Sequence, residues 1–394
     1  MHSLAKQRYR SELKRIDWDF TGENGSGGFA AYHWYPARFV PQLAGILIGY
    51  FSAPRELVLD PFVGSGTTLI EAYKLGRRGI GIDINPVATL MSRAKLTRFD
   101  ERGFGAYKTR LSDAIRTGVS SERFLLATSA TSIGELLPNY EELQFWFHPD
   151  TLRELVAIWA ALSANETSKY SSVGLTAFSS ILKYACSQDK HWGWVCDNVR
   201  PKEFVYRSPI PRFLEKLDEF RSNSLALAEE VIALQEASIA PDELQVTSGS
   251  CIDVMAAMSP ASIDLIVTSP PYYNMTDYVL SQRLSNLWFD VSMPALRQQE
   301  LGSRARRFRG ASKTEYLRDM REVVRQMARV LKARRHACIV IGESPKHAPV
   351  LEDFEGICAA EGLKVQERIS RRVAAKRTLS PSLQFESIFV LRRR

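Results

Sequence analysis

Two short segments carry residue types at spacings that suit chemistry on a bound ligand. Asp60 to Thr68 reads DPFVGSGTT. Its glycines let a backbone approach a ligand closely, and the start of a following helix offers unpaired N–H donors. A triphosphate loop would place Lys and then Ser or Thr after the glycines. Here Thr67 and Thr68 follow Gly66 with no lysine, and Asp83 lies 17 residues beyond Gly66. A carboxylate at the end of the next strand accepts both hydroxyls of a ribose. The pattern predicts a site for a nucleoside with a small anionic end.

Thr268 to Asn274 reads TSPPYYN. Consecutive prolines cannot donate backbone hydrogen bonds and keep a helix from starting, so the strand before them must end in a stiff, extended loop. The Ser269 hydroxyl and the Pro270 carbonyl then form two acceptors suited to the two hydrogens of an aromatic amine. Holding both hydrogens draws the nitrogen lone pair out of ring conjugation and makes it nucleophilic, with Tyr272 stacked on the ring.

These residues need a frame. Glu56–Asp60 reads as a short strand, Thr67–Leu75 as a helix with one apolar face, and Gly79–Ile84 as a second strand. Such a unit predicts a parallel sheet with a right-handed crossover. Ser262–Thr268 is a buried strand running into Ser269. Leu244–Thr247, His336–Ile341, Leu363–Ile369 and Ser387–Leu391 are further strands, the last two an antiparallel pair. Helices are expected over residues 1–20, Gln42–Phe51, Val279–Phe289 and Tyr316–Leu331. The expected organisation is an N-terminal extension over 1–30 and a catalytic domain from 31–94 and 244–394. Between those parts, 95–243 forms a helical, aromatic-rich insert ending in a long helix from Ile210 to Ala237.

The motifs resemble those of the amino-methyltransferases of DNA modification, which act on cytosine N4 or adenine N6. The family's D/N/S-P-P-Y/F loop is matched by Ser269, Pro270, Pro271 and Tyr272. Its FxGxG cofactor loop is matched by Phe62, Gly64 and Gly66, and its upstream H-x-Y-P-A-x-F segment by His33, Tyr35, Pro36, Ala37 and Phe39. The resemblance implies a Rossmann-like, seven-stranded class I α/β fold with S-adenosylmethionine as cofactor. It implies cofactor contacts from Asp60, Ser65, Thr67 and Asp83 as well. The family's acidic position after the third strand falls here at Ser250, with Asp253 as the nearby acid. The SPPY form resembles cytosine-N4 enzymes more than adenine-N6 enzymes, which mostly carry DPPY. An RNA base amine is the alternative substrate.

The charge distribution fits a polyanionic partner. Residues 301–394 carry 22 Lys and Arg against 10 Asp and Glu, whereas the preceding 300 residues carry 30 against 34. A basic segment of this kind suits contact with phosphates. The candidates are Lys190, Trp192, Arg200 and Lys202 in the insert, and Arg304, Arg306, Arg307 and Arg309 after the SPPY loop. The implied partner is double-stranded DNA, with a separate endonuclease of the same specificity as a companion. Five cysteines without a CxxC pair predict neither a disulfide framework nor a metal site. No apolar run is long enough for a membrane span, and the charged N-terminal segment has no signal-peptide core, so a cytoplasmic protein is expected.

Overall fold

The computed structural model describes residues 13, 15–20, 28–36, 40–120, 137–188, 200–234, 239–302, 312–343, 349–373 and 385–394. Helix α1 (Pro41–Phe51) leads into β1 (Leu57–Asp60), α2 (Thr67–Lys74), β2 (Arg78–Asp83) and α3 (Pro86–Lys95). Four long helices follow: α4 (Glu101–Ser120), α5 (Pro149–Ser163), α6 (Ser171–Ala185) and α7 (Pro209–Leu234). The sheet resumes with β3 (Leu244–Ser248), α8 (Cys251–Ala257) and β4 (Ile263–Thr268). Then come α9 (Arg283–Trp288), α10 (Ser312–Val330), β5 (Leu331–Glu343), α11 (Leu351–Ala360), β6 (Leu363–Arg372) and β7 (Phe385–Arg393).

The seven strands form one sheet in the order β3-β2-β1-β4-β5-β7-β6. The first five in that order run parallel, and β7 runs antiparallel to both neighbours. This is the Rossmann-like, seven-stranded arrangement. All six residues of β4 are buried, as expected of a central strand covered on both faces. Leu43 and Leu47 of α1 and Leu69 of α2 pack one face, while Met320, Val323 and Met327 of α10 pack the other.

Local differences from the sequence reading have physical causes. The expected antiparallel pair is present, with Val365 opposite Leu391 and Ile369 opposite Ile388. Strand β5 starts at Leu331, five residues before the apolar run that marked it. Its charged first half is held by side chains, since Lys332 reaches Asp264 at 2.7 Å and Arg335 pairs with Glu56. The helix expected over Val279–Phe289 is broken at Gln282 into Tyr278–Ser281 and α9. Residues 15–20 are turn and bend rather than helix, while 1–12 and 235–237 lie outside the described residues.

Helices α4 to α7 surround an aromatic core that includes Phe104, Tyr107, Phe178, Phe213 and Phe220. Phe29 and Tyr32 enter this core from upstream of the sheet, and Leu284, Leu287 and Trp288 enter it from α9. So the boundaries expected at 95 and 243 do not enclose the core by themselves. Among the described residues, no helix is long and apolar enough to cross a membrane.

Candidate active site

Strands β1 and β4 are parallel neighbours, so their carboxyl ends bring the two motifs side by side. Asp60 closes β1. Its Oδ1 accepts the Thr268 hydroxyl at 2.6 Å and the Phe62 N–H at 3.0 Å. Burial pushes the Asp60 carboxyl up to about 6, against the opposing pull of those hydrogen bonds.

The turn after Asp60 is built by its glycines. Gly64 (φ 50°) and Gly66 (φ 87°) both occupy the left-handed region. A Cβ on Gly66 would stand 2.8 Å from Ser92 Oγ on α3, so glycine also permits that close approach. Helix α3 holds the turn from beneath. Ser92 Oγ donates to the Gly64 carbonyl at 3.0 Å, and Lys95 Nζ to the Ser65 carbonyl at 2.5 Å. At the end of β2, Asp83 accepts the Gly64 N–H and the Asn85 N–H, each at 2.9 Å. Two backbone bonds fix its carboxylate, and each oxygen keeps a second lone pair for a ligand hydroxyl. Burial raises Asp83 to about 6 as well.

A cleft opens at this edge of the sheet. Tyr35, Asp60, Phe62, Gly64 and Ser65 line it, joined by Thr67, Asp83 and Ser250. Ser269 and Pro271 line the same cleft, so the two motifs share one space. Ser250 caps α8, its hydroxyl accepting the Asp253 N–H at 3.5 Å, and Asp253 itself is exposed and outside the lining.

Several expected residues take other places. His33 is buried away from the cleft. Its Nδ1 donates to the Trp34 carbonyl at 2.6 Å, and its Nε2 meets Ser179 Oγ at 2.8 Å, which in turn meets Ser285 Oγ at 2.6 Å. It therefore joins α6 and α9 to the segment before the sheet, in place of the cofactor contact the resemblance implies. Pro36 is buried and Gly66 lies beneath the turn, neither of them in the lining; Ala37 and Phe39 lie outside the described residues. Pro270 and Tyr272 are buried beside the cleft rather than in its lining. The Tyr272 ring packs in the core with Tyr316 and Met320. Its hydroxyl accepts from Ser269 Oγ at 3.1 Å and donates to Glu386 Oε1 at 2.8 Å. The aromatic walls are Tyr35 and Tyr278, with ring centres 6.1 Å apart and planes inclined at 31°.

Sequence reasoning missed Tyr278, Ile252 and Glu300, which also line the cleft. Glu300 Oε1 accepts the backbone N–H groups of Tyr278 and Val279 at 2.5 and 3.3 Å, at the start of the short helix Tyr278–Ser281. No motif marks these positions. Of the basic candidates, Arg200 stacks 3.5 Å from the Phe145 ring centre and Lys202 is exposed; neither lines the cleft. Lys190, Trp192, Arg304, Arg306, Arg307 and Arg309 lie outside the described residues.

The strand order with one reversed strand, the glycine turn after β1 and the carboxylate ending β2 define the class I methyltransferase arrangement. Residues 4–92 match the family described as DNA methylase, the N6/N4 type. The type II methyltransferase M.MvaI of Kocuria varians is 26% identical over 277 residues, covering 66% of this chain and 58% of its own length. M.BsoBI of Geobacillus stearothermophilus is 22% identical over 307 residues, covering 73% and 58%. The chain thus spans a little over half the length of these relatives. Over these stretches it is similar to the DNA amino-methyltransferases.

Proposed function

We propose that this protein transfers a methyl group from S-adenosylmethionine to the exocyclic amine of a base in double-stranded DNA, with cytosine N4 as the target. The observation that carries this reading is the shared cleft, where Ser269 and Pro271 line the same space as the glycine turn and Asp83.

The residues present fit that cofactor. Asp83, fixed by two backbone bonds, has lone pairs for both ribose hydroxyls. Ile84 and Ile252 offer apolar surface beside it for a purine face, and the turn from Gly64 to Thr67 admits the polar end. The bound cofactor would supply a methyl group already activated by a sulfonium.

The chain's own task is then to position the amine. A base amine is out of reach inside a duplex, so the base must leave the stack at a cost of a few kcal/mol, offset by contacts in the cleft. Ser269 Oγ, in the cleft lining, accepts one amine hydrogen, and the Pro270 carbonyl, on the loop beside the cleft, is the acceptor proposed for the other. The Pro271 carbonyl is already taken by the Tyr316 hydroxyl at 3.1 Å, which stiffens the loop. Tyr35 and Tyr278 supply ring faces against which the extruded base can pack. Arg200 and Lys202, with the basic segment after the SPPY loop, suit phosphate contacts. The type II names of the relatives support a companion endonuclease that acts separately.

The serine in the first loop position supports cytosine N4, and adenine N6 is the second reading because the same acceptor pair fits its amine. The test is methylation of mixed-sequence duplex DNA, digested to nucleosides and read by mass spectrometry beside a Ser269→Ala, Tyr272→Ala control. N4-methylcytosine that is absent from the control supports the proposal. N6-methyladenine moves the target base, and product from RNA alone replaces the substrate class.

A further inference from the structure

The Ser269 hydroxyl raises a question that a carboxylate at the same position would not. A serine oxygen can donate or accept, and only acceptance helps an amine keep its lone pair for attack. The surroundings of Tyr272 decide between the two. Glu386 on β7 and Arg371 on β6 are directly opposed in the sheet. Arg371 is 2% exposed, and its Nε lies 2.9 Å from Glu386 Oε2. Its Nη1 also donates to the Trp18 carbonyl at 3.3 Å. A guanidinium so deeply buried, with donors only, is compensated by this ion pair with the Glu386 carboxylate. Its other oxygen, Oε1, lies 2.8 Å from the Tyr272 hydroxyl and can only accept. Tyr272 must therefore donate to Glu386, which leaves its oxygen to accept from Ser269 Oγ at 3.1 Å.

We infer that Arg371 and Glu386 are positioning residues that fix the direction of this chain of hydrogen bonds, so that Ser269 faces the cleft with lone pairs only. This rests on the methyl-transfer reading above. The protons run one way: Ser269 gives its hydrogen to Tyr272, Tyr272 gives its own to Glu386, and Arg371 anchors the far end. No proton changes owner, and the chain acts through orientation alone. Burial and the neighbouring carboxylate hold the Tyr272 hydroxyl well above its ordinary range, so it stays a donor. The arrangement gives a serine loop the acceptor character that an aspartate loop has by charge.

The test is a double-mutant cycle on the full chain, read as single-turnover methyl transfer, with cofactor Kd and Tm measured alongside. In Glu386→Gln the amide oxygen faces Arg371, the amide N–H faces Tyr272, and the chain reverses. Transfer should fall by about tenfold or more, with cofactor Kd kept within about twofold. In a Ser269→Asp background the acceptor no longer depends on the chain, so adding Glu386→Gln should cost less than about twofold. Equal loss in both backgrounds would show a packing role and overturn the inference, as would full activity of Glu386→Gln in the parent. An inactive Ser269→Asp protein also overturns it, because a pure acceptor is then not sufficient. Should Glu386→Gln fail to fold, Tyr272→Phe removes the oxygen that takes the serine proton, and it runs through the same cycle. A parent that methylates no base overturns the proposed function and this inference together. An active parent with any of the contrary outcomes overturns this inference alone.

Discussion

The Thr268 hydroxyl donates to Asp60 Oδ1 across 2.6 Å, joining the ends of β4 and β1, 208 residues apart, from which the two cleft loops start. Thr268 is fully buried and Asp60 nearly so. Replacing Thr268 with Val leaves the carboxylate without one of its donors inside the protein. We expect a loss of about 1.5–3 kcal/mol in stability, the range for a hydrogen bond to a charged group. Urea denaturation measures it, and cofactor Kd measured beside it should rise, since both loops face the cleft. An unchanged denaturation midpoint would show that the bond contributes nothing.

Asp60 and Asp83 both titrate near 6, above the ordinary carboxylate range, because burial disfavours their charged forms. Between about pH 4 and 6 the folded chain holds protons that the unfolded chain has released. The contribution of these two groups to stability is therefore greatest at acid pH, declines as pH rises through that window, and is level above about 6. Cofactor binding should run the opposite way, because Asp83 accepts ribose hydroxyls best as a carboxylate. Calorimetric Kd for S-adenosylmethionine should weaken by roughly tenfold from pH 7 to pH 5. Asp83→Asn should bind weakly at both pH values, since its amide would turn a donor towards the Gly64 or Asn85 N–H.

Two glycines should answer alanine in opposite ways. Gly66 has φ 87° and no room, with Ser92 Oγ 2.8 Å from the added Cβ. Gly66→Ala should cost about 2 kcal/mol or more from strain and displacement of α3, and weaken cofactor binding. Gly105, exposed on α4, has nothing within 4 Å of an added Cβ. Gly105→Ala should stabilise by about 0.5–1 kcal/mol through helix propensity, leaving cofactor Kd unchanged. Thermal midpoints of both variants against the parent decide the matter.

The contacts of His33 predict a stability effect without a binding effect. Ser179→Ala removes the hydroxyl between His33 and Ser285, leaving buried polar atoms without that partner. The expected cost is about 1–3 kcal/mol, read by denaturation, with cofactor Kd unchanged. A rise in Kd matching that of Asp83→Asn would return His33 to the binding machinery.

The central strands were legible because LVLD and IDLIVT are apolar runs that end at punctuation, the glycine turn and Pro-Pro. Asp83 was legible because the end of a strand fixes a side chain's place. Side-chain direction was not legible: nothing in the spacing of His33 and Tyr35 tells that one faces Ser179 and the other the cleft. Tyr272 reads as a stacking residue until Glu386, 114 residues later, is seen to claim its hydroxyl. Tyr278, at the start of a four-residue helix, and Glu300 reach the cleft by chain paths that no periodicity encodes. The first half of β5 is charged, and only its partners Glu56 and Asp264 make it a strand.

The pairing of β1 with β4 also bears on how the chain is made. When β1 leaves the ribosome, the neighbour that will cover one of its edges is still some 200 residues from synthesis. At typical translation rates that edge waits roughly 10–40 s. The aromatic surfaces of α4 to α7 wait as well, until Trp288 arrives. Folding of this protein is therefore timed by the second half of its message, and a nascent chain halted before residue 268 presents an open strand edge to holding chaperones.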